Sequence, residues 1–441
     1  MGEKPSTIRG SGIARATGSS SLPSGCTGAV AAQRGKPPSN RVPFWEGRPT
    51  LAVIEPKAMR KLALAVMLAA GLPAAARAAP VKIGIVNSMT GPEAPIGENI
   101  TNGYKLALED LKARGIEVQA VWEDDTGKPQ IGLSAVEKLA TRDNVTGIVG
   151  AYTSAVTSAV AKAAERYKVP LVNPVASKEE ITRQGYKWVF RVSATTGDYA
   201  EVLLDMATTL GKPKTMAILN ENTDFGVSGG KSAKAYAEKT GLKVVFEEAY
   251  SKGSPDYRST LVKLKGTNPD LVFMVSYVAD AILLMRQSRE IGLAPMAFLG
   301  AGAGFATTQF AGEKEISHGV FSSTQWTPDV QWPGAKEFAE KYQKAFGKPA
   351  SYHAATAYAA LTILAEAASK AGGDREKTRA ILDAGTWNGI DGEVKFQDYE
   401  GYTNQNKHQM LVEQVQDGKH YTVWPQNLAS KKPIWPFPGW K

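Results

Sequence analysis

From Val81 onward, short apolar runs alternate with longer segments in which apolar residues recur every three or four positions, the spacing of strands alternating with amphipathic helices. Val81–Val86 and Val118–Trp122 read as strands. Ile100, Tyr104, Leu108 and Leu111 share one helix face, and Leu133, Val136 and Ala140 share another after Pro129. The stretch 146–177 repeats the motif twice: the run Gly147, Ile148, Val149 enters a polar turn at Ala151–Ser154. A helix with Val156, Val160, Ala163 and Tyr167 inward follows it, and Pro170 stops that helix. Leu171 and Val172 then lead into a second polar turn, Asn173–Ser177. Trp188–Arg191 adds a strand, and Thr195-Thr196-Gly197 reads as a linker.

A second series follows: helices over Tyr199–Leu210, Val227–Thr240, Tyr257–Lys265 and Asp280–Ile291, and strands over Thr215–Leu219, Lys243–Tyr250, Leu271–Val275 and Met296–Leu299. Two alternating series imply two α/β lobes built on parallel sheets. Gly334–Ala384 reads as mainly helical, including an Ala-rich run at Ala354–Ala371. Three short strands are expected at Glu393–Phe396, Gln409–Gln416 and Tyr421–Trp424, before an aromatic, Pro-rich tail.

The two polar turns at 151–154 and 173–177 both follow strands and both precede helix signals. In an open parallel sheet such turns line one crevice, where free helix N–H groups suit a carboxylate. Ser154 as an N-cap and Ser177-Lys178-Glu179-Glu180 as a capping box are the plainer alternatives.

The 441 residues suffice for two sizeable cores. The net charge of +9 hints at nucleic acid, but it is concentrated in the N-terminal part. Residues 1–58 hold eight basic and three acidic residues, and 59–79 hold three basic and none acidic, so about +1 remains for the body and no nucleic-acid partner is expected. Met59-Arg60-Lys61, the apolar run Leu62–Leu72 and Ala76-Arg77-Ala78 have the order of a secretory signal peptide over 59–79. The Gly/Ser/Pro-rich segment 1–58 is then expected to be a mis-called or disordered extension. It contains the only cysteine, Cys26, so the secreted body has no disulfide.

Competing chemistry is thin. Gly226-Val227-Ser228-Gly229-Gly230 matches the nucleophile elbow of a secreted serine hydrolase, but Glu221–Phe225 separate Ser228 from the preceding strand. Gly300-Ala301-Gly302-Ala303-Gly304 lacks the third glycine of a dinucleotide loop and reads as a flexible loop. The four histidines, His318, His353, His408 and His420, carry no metal motif, so neither a metal nor a cofactor nor a catalytic residue is expected.

VKIGIVNSMTGPEAPIGENITNGYKLALED, GIVGAYTSAVTSAVAKAAERYKVPLVNPVAS, NENTDFGVSGG, VSYVADAILLMRQSREIGL and SYHAATAYAALTILAEA together resemble the branched-chain amino-acid-binding (Leu/Ile/Val-type) family of periplasmic ABC-transporter receptors. That resemblance implies the two-lobed type I periplasmic binding fold, each lobe a parallel sheet flanked by helices, joined by three hinge crossovers. The expected lobes are 80–198 plus 327–405 and 199–326 plus 406–441. It implies a monomer in the periplasm that captures an amino acid or related carboxylate and delivers it to a membrane permease. Aromatic acids or amides are the alternative ligands.

By the same resemblance Ser154 holds the ligand carboxylate, with Tyr152, Thr153, Ala176 and Tyr277 beside the site, and Val175 offers its carbonyl to the ammonium. Ser177 stands where the family has threonine, Phe225 forms the far wall, and Ile96 takes a position often held by tryptophan. Asp280 replaces the glutamate that pairs with the ammonium, or else caps its helix.

Overall fold

Fifteen strands and twelve α-helices alternate along residues 79–440, which a computed structural model describes. The expected extension and signal peptide, up to residue 78, lie outside the described residues. The strands are β1 (Val81–Asn87), β2 (Val118–Asp124), β3 (Gly147–Val149), β4 (Leu171–Asn173), β5 (Val189–Arg191), β6 (Thr215–Glu221), β7 (Lys243–Tyr250) and β8 (Leu271–Val275). Then come β9 (Ala297–Gly300), β10 (Phe321–Thr324), β11 (Thr386–Gly389), β12 (Gly392–Tyr399), β13 (Tyr402–Asn406), β14 (Leu411–Gln416) and β15 (Lys419–Trp424). The helices are α1 (Ala94–Ala113), α2 (Pro129–Thr141), α3 (Ser154–Tyr167), α4 (Thr196–Gly211), α5 (Asp224–Thr240) and α6 (Arg258–Gly266). They continue with α7 (Val278–Glu290), the short α8 (Thr308–Gly312) and α9 (Lys314–Ser317), α10 (Ala335–Phe346), α11 (Tyr352–Lys370) and α12 (Arg375–Ala384).

Two sheets result. One runs β11-β12-β13-β5-β4-β3-β1-β2 and the other β15-β14-β10-β9-β8-β6-β7. The expectation of purely parallel sheets is corrected at the edges: β11–β12–β13 and β10–β14–β15 pair antiparallel, while the centres are parallel. For β11–β12, β12–β13 and β14–β15 the difference follows from connection length, since tight turns rather than crossover helices join them, whereas β14 reaches β10 on the chain's return from the first sheet. The chain passes between the sheets three times, at 192–195, 325–334 and 407–410.

Burial explains the central strands. In β3, β4, β8 and β9 every residue is buried, as expected of strands covered on both faces. Helix α11 lies on the first sheet against α1 and is buried around most of its circumference, with Ala354, Ala357, Leu361, Leu364 and Ala368 each fully enclosed. Its alanines permit close approach: a Cβ on Gly103 of α1 would stand 2.2 Å from the Ala354 carbonyl oxygen.

Two expected features take another form, and three strands lie outside the apolar pattern. Thr195-Thr196-Gly197 is no open linker, because Thr195 and Asp198 cap α4 in a reciprocal box. Strands β10, β11 and β13 escape the apolar pattern. In β13 the interior residues Asn404, Gln405 and Asn406 are polar and buried, and Gln405 Oε1 accepts from the buried Arg191 guanidinium and from Thr182 Oγ1 (3.0 Å). The 300–304 stretch is enclosed, with residues 301–307 all buried.

Candidate functional site

The turn after β3 needs a special backbone. Gly150 has φ of +141°, and a Cβ there would stand 2.3 Å from the Val86 carbonyl oxygen, so glycine alone lets the chain turn beside β1. The chain then enters α3, whose N-cap is Thr153: its Oγ1 accepts from the Val156 N–H at 3.3 Å. Ser154 is therefore the first helical residue and not the cap. Its hydroxyl is free for other work and accepts from the Lys178 N–H at 3.3 Å, tying the first turn to the second.

The second turn is organised by Asn173, whose Oδ1 accepts from the N–H groups of Val175 (3.0 Å) and Ala176 (2.9 Å) while Nδ2 donates to the Ala176 carbonyl (2.8 Å). The expected capping box at Ser177 does not form. Only a three-residue 3₁₀ turn, Glu179–Ile181, follows, without a side-chain cap. The Ser177 hydroxyl instead meets the Tyr199 phenol, which burial pushes up to about 12. Tyr199 accepts from Gln325 Nε2 (2.7 Å), and Gln325 Oε1 accepts from the Ala194 N–H (2.8 Å), so the second turn is wired to two of the three chain crossings.

Both turns open onto a narrow cleft between the sheets, with only about 10 Å³ of free space, lined by Tyr152, Ser154, Val175, Ala176 and Ser177 on one side and by Phe225, Tyr277 and Ala303 on the other, with Tyr352 at the start of α11. Seven of the ten residues singled out in the sequence thus face one space. Thr153, Ile96 and Asp280 do not line it. Thr153 caps its helix, Ile96 is buried within α1, and Asp280, the third residue of α7 rather than its cap, accepts with both oxygens from the Gly253 N–H (3.2 and 3.0 Å).

Ala303 and Tyr352 were not anticipated. The Ala303 N–H donates to the Tyr352 hydroxyl at 3.1 Å, and Gly304 lets the loop touch Tyr277, since a Cβ would stand 2.5 Å from the Tyr277 carbonyl carbon. The Gly-rich run was the available signal for that loop. Tyr352 carried none, because an aromatic at the head of an Ala-rich helix looks like core.

The rings form a connected wall. Tyr152 meets Tyr277 and His353 edge-on, Phe225 tilts against Tyr277 at 5.4 Å, and Tyr352 stacks on His353 at 4.0 Å. Burial raises the phenols of Tyr152, Tyr277 and Tyr352 well above their ordinary value and pushes His353 down to about 3, so all four are neutral near pH 7. The Tyr277 phenol faces the Ser154 N–H across the cleft, and that amide opposes the effect of burial on the phenol. Beneath it, the Tyr277 N–H donates to Glu221 Oε2 (3.1 Å) and Thr223 Oγ1 donates to Glu221 Oε1 (2.6 Å). Glu221 is fully buried, and that burial raises it to about 7.

Ser228 lies inside α5, in its second turn. Its Oγ is 2.8 Å from Thr196 Oγ1 and accepts from the Glu179 N–H at 3.2 Å, so its partners are a hydroxyl and an amide rather than a histidine base. Among the described residues no His/Cys/Asp/Glu group could hold a metal ion, and no helix is long and apolar enough to cross a membrane.

Comparison with known proteins accounts for this architecture. Leu/Ile/Val-binding protein homolog 7 of Brucella suis is 29% identical over 390 residues, covering 83% of this chain and 96% of that protein. Homolog 8 of Brucella abortus is 30% identical over 379 residues, covering 80% and 93%. Among solved structures, a leucine-binding protein from Thermotoga maritima superposes with a TM-score of 0.72 at 25% identity, over 78% of this chain and 97% of its own. An ABC-transporter solute-binding protein from Rhodopseudomonas palustris, in complex with 3,4-dihydroxybenzoic acid, has the same fold (TM-score 0.72, 22% identity, 81% and 98% covered). The family model for periplasmic binding proteins matches residues 80–419, and the chain belongs to that family.

Proposed function

We propose that the protein is the periplasmic solute receptor of an ABC importer, a monomer that takes a small carboxylate between its lobes and delivers it to a membrane permease. The observation that carries this reading is an interlobe cleft with the first turn of α3, the Ser177 turn and the Tyr152 ring on one wall and the rings of Phe225 and Tyr277 on the other. A carboxylate docks at the start of α3, where the Ser154 N–H and the helix dipole favour negative charge. Hydroxyls of Tyr152, Tyr277 and Tyr352 are protonated and able to donate to it. In this reading the moving bodies are 80–198 with 327–405 and 199–326 with 406–441, and no bond is made or broken.

On ligand class, the relatives bear Leu/Ile/Val-binding names, while solved neighbours hold isoleucine in one case and benzoate in another. No acidic side chain lines the cavity of this chain, and Asp280 is engaged by Gly253. That supports an apolar or aromatic monocarboxylate over a zwitterion, whose ammonium would need a buried anionic partner. Mass spectrometry of ligand released on unfolding, followed by calorimetric titration with benzoate and leucine, tests it. Binding of leucine but not of benzoate contradicts the ligand class, and stoichiometric labelling of Ser228 by a fluorophosphonate contradicts the receptor role. For export, N-terminal sequencing of the secreted product should give a start near Ala79, and an intact N-terminus retained in the cytoplasm contradicts it.

A further inference from the structure

A loop of the second lobe, Ser251–Asp256, reaches the turn between β1 and α1 of the first lobe and joins it through a single charge pair. Lys252 Nζ bonds Glu93 Oε1, at the head of α1. The glutamate side chain is only 8% exposed and the lysine 32%. The same ammonium lies 4.4 Å from the centroid of Tyr277, on that cavity-lining ring. Glu93 is also the leading charge acting on Tyr152 after burial itself. The loop is braced where it crosses: the Lys252 N–H donates to Asn222 Oδ1 (3.1 Å), and the Gly253 N–H to Asp280. The second interlobe pair, Lys178–Asp224 at 2.7 Å, has the more exposed carboxylate (42%).

Two opposite charges thus stand directly behind the tyrosine wall and cancel each other. We propose that the Glu93–Lys252 pair sets the charge specificity of the cleft, selecting ligands whose end distal to the carboxylate is uncharged. This rests on the carboxylate reading of the Ser154 turn. A distal ammonium would have to compete with Lys252 for Glu93, and a second carboxylate would have to compete with Glu93 for Lys252. Either exchange leaves one charge half-buried without a partner, which is strongly unfavourable. Removing one member of the pair therefore does more than loosen the cleft: it exposes the other member as a new recognition group.

The test uses three probes of one shape, p-toluate, terephthalate and p-(aminomethyl)benzoate, titrated calorimetrically into the wild type, E93Q, K252Q and the exchanged variant E93K/K252E. The wild type is expected to prefer p-toluate. E93Q should shift the preference toward terephthalate, and K252Q toward p-(aminomethyl)benzoate, each by about tenfold or more relative to p-toluate. The exchanged variant, which rebuilds the pair with the charges reversed, should return to the wild-type ranking and so separates charge selection from a general loss of structure. Binding of p-toluate with the ranking unchanged in both single variants overturns the proposal alone. Failure of the wild type to bind any of the three carboxylates overturns the reading beneath it, and the proposal with it.

Discussion

The two walls of the cavity are built from different materials. On the first lobe, recognition groups are backbone N–H groups and hydroxyls held by short polar links: Asn173 ties its own turn, Ser154 ties that turn to the other, and Tyr199 with Gln325 ties both to the chain crossings. On the second lobe they are the rings of Phe225 and Tyr277, positioned by charge, against which the first lobe sets the rings of Tyr152 and Tyr352. Glu221 holds the Tyr277 backbone from below and Lys252 lies against the ring from outside. A wall of fixed amides can bind the constant part of a ligand class, whereas a wall of rings and ion pairs can be altered residue by residue without disturbing the first. The difference separates the anchor from the selector.

Asn173→Ala attacks the anchor most severely. It leaves the Val175 and Ala176 N–H groups and the Ala176 carbonyl unpaired in a fully buried turn, and should lower unfolding stability by about 3 to 5 kcal/mol in urea titration. A loss below about 1 kcal/mol would mean that the turn is held from elsewhere.

On the selector wall the matching experiment is a pH series. Glu221 is raised from 4.5 to about 7 in the folded state, so the folded protein binds more protons than the unfolded chain between those values and stability falls as pH rises through that window. The loss amounts to about 3 kcal/mol at most, and Glu221→Gln should flatten the stability profile between those limits. An unaltered profile in the variant would place the burial penalty on another group.

Ser154→Ala should weaken carboxylate binding about ten- to a hundredfold, the worth of one hydrogen bond to a charged group, and lower unfolding stability by about 1 kcal/mol through the lost link to the Lys178 N–H. The smallest effect is expected of Asp280→Asn. Gly253 retains an acceptor, and affinity should stay within about twofold by calorimetry, as for a residue outside the contact surface. A loss of two or more decades would restore Asp280 as an ammonium partner and make the second lobe an anchor as well.

Much of the frame was legible because central strands and amphipathic helices declare themselves by spacing; β8, buried throughout, begins and ends where its apolar run does. What escaped is polar and interior. Strand β13, Tyr-Thr-Asn-Gln-Asn, has no apolar alternation, and it is interior because Arg191 and Thr182 meet Gln405, a pairing across more than two hundred residues. The serine turns were legible as a pair following adjacent strands, although Thr153 rather than Ser154 is the cap. Asp280 was misleading for a physical reason: a carboxylate at a helix start is equally able to meet a ligand or a neighbouring amide, and only the path of the 251–256 loop decides.

The pairing of Arg191 with Gln405 also has a temporal side. Strand β5 is the last strand of its sheet to be made before the chain departs to build the other lobe, and its partner β13 is translated some two hundred residues later. Until then β5 is an open edge carrying a guanidinium that has not met Gln405, a surface prone to wrong pairing. A polypeptide released in this order cannot complete its first half before its last, so truncation anywhere short of residue 406 leaves both halves unfinished rather than one finished and one missing.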